Sequence, residues 1–182
     1  RGATIVEFAI ILPVLCVLLV GTFDLGYRSY VTSIVQGALH EASRMATVGN
    51  VPMNDIEEHV ENRLHEFSRQ ATIVTSTQSY TDFTGVGLPE PITQDTMPTG
   101  TYNDGDCFSD INGNGEWDAD RGRSGMGGSE DAVRFEVRMT YPRLFPMGGL
   151  LGWSDNVEIV QNTVLRNQPY AGRNTAAAPV VC

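Results

Sequence analysis

Gly2-Ala-Thr-Ile-Val-Glu7-Phe8-Ala-Ile-Ile-Leu-Pro13-Val-Leu-Cys16-Val-Leu-Leu-Val-Gly-Thr-Phe23 is the stretch that decides the fold. From Ala3 to Phe23 there are 21 residues and one charge, Glu7. About twenty apolar residues in a helix cross the hydrocarbon core of a bilayer. A carboxylate at mid-membrane costs roughly 2.5–3.5 kcal/mol on insertion scales, so Glu7 calls for a partner or for a place near the interface.

Beyond Phe23 the apolar pattern changes period instead of stopping. Tyr27, Val31, Ile34, Val35, Ala38, Ala42 and Met45 recur at three-and-four spacing, with Arg28, Ser29, Gln36, Glu41 and Arg44 between them. A cleavable secretory signal has a shorter apolar region and then a small-residue cleavage site, which does not fit. The pattern predicts one helix from Ala3 to Val48, about 70 Å long at 1.5 Å per residue. Its residues 3–24 form a membrane-spanning half and 25–48 an amphipathic half. Pro13 is expected to bend it, and Gly49-Asn-Val-Pro52 to end it.

The length of 182 residues then leaves a single head at 49–182. The formal charge of −10 argues against a nucleic-acid partner and against an anionic lipid surface. Arg1 before the apolar run fits an inward N-terminus and an exported head, although Arg28 lies on the other flank.

Within the head, Asn54 as cap and Glu57 three residues on predict a second helix, with Ile56, Val60, Leu64 and Phe67 as its apolar stripe. Ala71–Tyr80 reads as a strand, and 81–106 as a long surface loop. Ala132–Tyr141 alternates, with Val133, Phe135, Val137 and Met139 inward. Val157–Leu165 is a third strand, with Val157, Ile159 and Val164 inward. Residues 142–153 are apolar but broken by Pro142, Pro146, Gly148, Gly149 and Gly152. They either fill the core or lie on a partner or membrane surface. The tail from Asn167 is expected to be irregular. These elements predict an α+β fold of two packed layers. The long N-terminal helix and the second helix lie against a small antiparallel sheet.

The sharpest local chemistry is Asp110-Ile-Asn112-Gly-Asn114-Gly115-Glu116-Trp-Asp118-Ala-Asp120. Calcium takes six to eight oxygens, which alternate residues of a tight loop can aim inward. Asp110, Asn112 and Asn114 stand at the first, third and fifth positions of an EF-hand-like loop, and Gly115 at the sixth. Glu116 offers a backbone carbonyl, and Asp118 falls at the ninth. The twelfth position is Arg121, so the usual bidentate Glu is missing. Asp120, Asp106 or Glu130 would have to complete the shell. The plain alternative is a polar Asn-Gly turn without an ion. An oxygen-rich loop lacking His and Cys does not suit zinc.

Of the three cysteines, Cys16 lies in the apolar run as a small apolar side chain. Cys107 and Cys182 belong to the exported part, where disulfides persist. They form either a pair with each other, two free thiols or a bond between subunits. Nothing points to catalysis. His59 and His65 are six apart, His40-Glu41 lacks the second His of a zinc-protease helix, and no nucleophile elbow or phosphate loop occurs.

The segment Gly2-Ala-Thr-Ile-Val-Glu-Phe-Ala-Ile-Ile-Leu-Pro-Val-Leu, with Phe23-Asp-Leu-Gly-Tyr-Arg28 after it, resembles the TadE-like minor pilins or pseudopilins of tight-adherence (Tad) pilus systems. Weaker similarity extends through 107–120 and 140–170. The resemblance implies cleavage between Gly2 and Ala3 by a prepilin peptidase, leaving 1–2 as a leader remnant. It implies Glu7 and Phe8 as assembly residues, Glu7 pairing with the free amine of a neighbouring subunit. It also implies other pilins and the assembly machinery as partners. The chain would sit in the bacterial inner membrane with its head in the periplasm, and enter the filament on assembly. The competing expectation is a permanently membrane-anchored, calcium-dependent binding or adhesion module, which needs no cleavage at Gly2.

Overall fold

Two apolar patterns in series produce one continuous helix. The computed structural model describes residues 2–48, 51–67, 70–145, 152–166 and 177–182. Helix α1 spans Gly2–Val48 and passes unbroken through Pro13. Its first half is bare: none of its most apolar 18-residue window is buried. Its second half turns Val31, Val35, Ala38, Leu39 and Ala42 inward, while Arg28, Gln36, Glu41 and Arg44 stay exposed. The same helix is therefore a membrane-spanning candidate below and a core element above. The expected Gly49-Asn50 stop lies outside the described residues.

Helix α2, Met53–Phe67, lays Ile56, Val60 and Leu64 against that stripe. It opens earlier than expected. The Pro52 carbonyl accepts from the amides of Asp55 and Ile56, so Asn54 sits inside the first turn instead of capping it. Proline needs no amide partner at this position and its fixed φ suits the turn, which lets the helix start there. The Phe67 side chain lies outside the described residues.

The layer opposite the helices is a four-stranded antiparallel sheet in the order β4-β1-β5-β6, made of Arg123–Ser124, Thr72–Tyr80, Ala132–Pro142 and Asn156–Arg166. Its long hairpin pairs Ala132 with Arg166 at one end and Pro142 with Asn156 at the other. Phe135, Val137, Met139 and Tyr141 of β5, and Val157 and Ile159 of β6, close the core against α1 and α2. Fully burying each such side chain stabilises by about 1.5–3 kcal/mol. The α+β layering is thus as the patterns predict.

Three expectations are corrected. Val164 is 38 % exposed while Leu165 is buried, because strand alternation carries the inward phase of Val157 and Ile159 onto odd numbers. The stretch 81–106 is not only loop: it holds a short 3-10 turn, Phe83–Gly85, and strand β2, Ile92–Gln94. The end of the tail is not irregular either. Val180–Val181 forms β7, which pairs with β3, Cys107–Ser109, to give a second sheet in the order β2-β3-β7. Residues 167–176 and 146–151, over which the remaining tail and connection expectations run, lie outside the described residues.

A disulfide joins Cys107 to Cys182 across 75 residues and fastens this small sheet. A two-residue strand such as β7 holds few ladder bonds, so the covalent link is what secures it. Cys182→Ser is expected to lower stability by about 2–4 kcal/mol. The measurement is a thermal melt of the full chain in detergent, and an unchanged midpoint refutes the role.

Candidate functional site

The acidic loop is assembled around a residue that the motif does not contain. Glu90 is 1 % exposed. Its Oε1 accepts from the amides of Ile111 (2.7 Å) and Asn112 (3.2 Å), and its Oε2 from the amide of Asp118 (3.2 Å). Its own amide donates to the Asp118 carbonyl, and its carbonyl accepts from Trp117 Nε1. Trp117 stacks on Tyr102 at 4.8 Å, and Tyr102 meets the buried Phe108 edge-on at 5.7 Å. An anion buried in this way persists because several amides point at it. Nothing in the sequence signals the role of Glu90 beyond its place between Pro89 and Pro91.

Inside the loop the side-chain oxygens hold the turns. Asp110 accepts from the amides of Gly113 (2.6 Å) and Gly115 (3.0 Å). Both glycines have left-handed backbone, φ 83° and 82°, which a side chain would strain. Asn112 and Asn114 each accept from an amide two residues on, and both donate from Nδ2 to Asp118 Oδ2 at 2.6 Å. So Asn112, Asn114 and Asp118 are brought together through their side chains, while Asp110 holds the amides of Gly113 and Gly115 in the same loop.

The carboxylates expected to complete the shell are not among them. Glu116, expected to offer only its carbonyl, keeps its side chain exposed. Asp120 accepts from Tyr80 Oη at 2.9 Å and pairs with Arg134 at 2.9 Å. Burial, reinforced by this bond and by the charge of Asp120, pushes the Tyr80 hydroxyl up to about 12. Asp106 faces away, accepting from the Thr96 hydroxyl (2.6 Å), the Thr96 amide (2.7 Å) and the Asn103 amide (2.8 Å). Those donors, the Thr96 hydroxyl above all, hold its carboxyl below the usual range. Glu130 stands 3.6 Å from Arg166. Among the described residues no three His, Cys, Asp or Glu side chains are grouped to hold a metal.

The second cluster sits where the apolar half of α1 ends. Asp24 is 3 % exposed and pairs with Arg143, just past β5. Arg143 also donates from Nε to the Ser154 carbonyl (2.6 Å), and its guanidinium lies 5.0 Å from the centre of the Trp153 ring. Beside it Tyr141 is sealed, its hydroxyl without a partner among the described residues, and meets Tyr27 edge-on at 5.8 Å. Burial, with Tyr27 and Asp24 nearby, raises the Tyr141 pKa. A lone Asp after an apolar run gives no hint of a partner 119 positions away. Glu7 and Phe8 are both exposed on the bare half of the helix. Backbone at the expected cleavage point, Gly2 and Ala3, is helical.

Residues 2–44 match the family described as TadE-like protein. That segment covers the bare half of α1, Glu7, Asp24 and most of the core stripe, and stops before the head. No curated protein and no solved structure matches the chain. The N-terminal helix is thus similar to TadE-like protein over residues 2–44, and it is long and apolar enough to cross a membrane.

Proposed function

We propose that this protein is a minor pilin or pseudopilin that takes part in assembly or priming of a Tad-type pilus and is cut by a prepilin peptidase between Gly2 and Ala3. The observation that carries the reading is α1 itself. None of its most apolar stretch is buried, whereas its upper half is built into the core, and the TadE-like match runs through both. A bare apolar helix suits storage in a bilayer and later packing against sibling helices. Gly21, Gly26 and Gly37 leave open space beside it, and small residues allow helices to approach closely. Glu7, exposed within this surface, is free to meet the amine of a neighbouring subunit.

The test is the N-terminus of the membrane-extracted protein, by intact mass and Edman sequencing, in cells with and without prepilin peptidase. A peptidase-dependent start at Ala3 is expected; an uncut chain in both strains overturns the reading in favour of a fixed anchor. Glu7→Ala is expected to abolish filament incorporation while leaving membrane insertion at the wild-type level. Both are read by fractionation of sheared filaments and membranes. Normal incorporation, or failed insertion, would falsify the pairing role.

The loop is proposed to take calcium in a structural role, through Asp110, Asn112, Asn114 and Asp118 with the Glu116 carbonyl. Support comes from the meeting of Asn112, Asn114 and Asp118, from Asp110 in the same turn, and from their hard oxygen chemistry. Their oxygens are engaged in the loop's own hydrogen bonds, so a cation has to displace some of them. Calorimetry of the full chain in detergent is expected to show heat on calcium addition that Asp110→Ala abolishes. No heat and no thermal shift removes the proposal.

A further inference from the structure

The span and the head meet at one place, and the groove there is lined by apolar and aromatic side chains, with Arg28 and Asp155 exposed near it in the chain. Counting about 30 Å of hydrocarbon at 1.5 Å per residue from Ala3 puts Phe23 at the outer boundary of the bilayer. Immediately above it, Leu144 and Phe145 reach back from the end of β5 to line, with Phe23, Tyr27 and Tyr30, an open groove of about 470 Å³. Phe23 is 63 %, Tyr30 59 %, Leu144 55 % and Trp153 36 % exposed. The acid of α1 at this level, Asp24, is buried and neutralised by Arg143, which also binds the Ser154 carbonyl and lies over Trp153. One guanidinium therefore fixes the returning end of the hairpin to α1 at the height of the membrane surface.

We propose that Leu144, Phe145 and Trp153, with the adjoining face of α1, form a collar immersed in the headgroup–acyl boundary of the same bilayer that α1 spans, with lipid as the occupant of the groove. Continuity with the apolar span selects lipid, because the patch begins where the span ends. The residue types agree: Trp and Tyr prefer the interface, where an apolar ring and a polar edge are both accommodated. Charge agrees as well. The Arg143 pair neutralises the one acid buried beneath the groove, Asp24, so the charges left at this level, Arg28 and Asp155, are exposed ones that headgroups can solvate. With a net charge of −10 the chain gains nothing from anionic headgroups, so the contact is apolar. It requires α1 in a bilayer and does not depend on filament assembly.

The test uses the full chain in phosphatidylcholine vesicles with Trp117→Phe, which leaves Trp153 as the only tryptophan, excited beyond the tyrosine band. Acyl chains brominated near the headgroup are expected to reduce its emission by about twofold, since interfacial groups lie about 5–10 Å into the boundary. Adding Asp24→Ala is expected to reverse most of that loss. Emission unaffected by brominated lipid at every protein-to-lipid ratio overturns the proposal. So does a blue shift that grows with protein density without quenching, which assigns the groove to a second copy. Should Trp117→Phe unfold the loop, a nitroxide on Leu144→Cys, in a Cys16→Ala background, replaces it. Preferential relaxation by oxygen over a water-soluble nickel complex supports the collar, and the reverse refutes it.

Discussion

Arg143→Ala is expected to destabilise the head by about 3–5 kcal/mol, because it strands Asp24 as a buried charge with no counterion. Asp24 is 3 % exposed and the Arg143 side chain 14 %, so solvent does little to screen the pair. In a chain of this size each kcal/mol lowers the melting midpoint by about 2–4 °C, which puts the expected drop at about 6–20 °C. Circular dichroism of the full chain in detergent measures it. Asp24→Asn removes the charge but keeps an acceptor, so Asp24→Asn/Arg143→Ala is expected to be milder than Arg143→Ala alone. That non-additivity is the mark of a coupled pair. Additive effects, or a single-variant loss below about 0.5 kcal/mol, sink the argument.

Glu90→Ala is expected to be as damaging, by a different route. Truncation leaves the amides of Ile111, Asn112 and Asp118 facing an empty acceptor site. A buried donor without a partner costs about 1–3 kcal/mol, so three of them amount to about 3–5 kcal/mol after partial relaxation. The local reporter is Trp117, held by the Glu90 carbonyl and by Tyr102, so its emission is expected to shift red along with the loss of stability. Glu90→Gln keeps one acceptor oxygen but turns an NH2 group toward at least one amide, and an intermediate loss follows. A Glu90→Ala protein that melts at the wild-type temperature with unshifted emission shows that water takes over the three amides without cost.

Both sites lie where the sequence is least readable, and the reason is physical. Periodicity reports burial along one element, which is why α1, the Val133–Met139 alternation and the α2 stripe are legible from residues alone. The exposed phase of Val164 was misread because a Val on the polar side of a strand looks like an inward residue until its neighbour Leu165 is weighed. The small sheet was missed for another reason. Its strands are two or three residues long and are joined by contacts from remote segments, so no window of sequence contains the pattern. The motif at Asp110–Asp118 was readable because its residues are close in sequence. Glu90, on which that loop is wound, and Arg143, which neutralises Asp24, belong to tertiary pairing across 20 residues or more. No local signal encodes such a pairing. Asp120 shows the converse error: a carboxylate adjacent to an acidic motif was counted with it, while Tyr80 and Arg134 had already engaged it.

The sharing of α1 between span and head has a mechanical consequence. Val31, Val35, Ala38, Leu39 and Ala42 interlock with α2 and the sheet, and the Asp24–Arg143 clasp sits below them. No flexible tether joins the head to the span, so a pull on the head loads α1 in shear along its own axis, spread over five side chains and an ion pair. Force reaches the candidate membrane segment through one continuous helix. A rotation imposed on the core half of α1 is passed down that helix toward the face that carries Glu7.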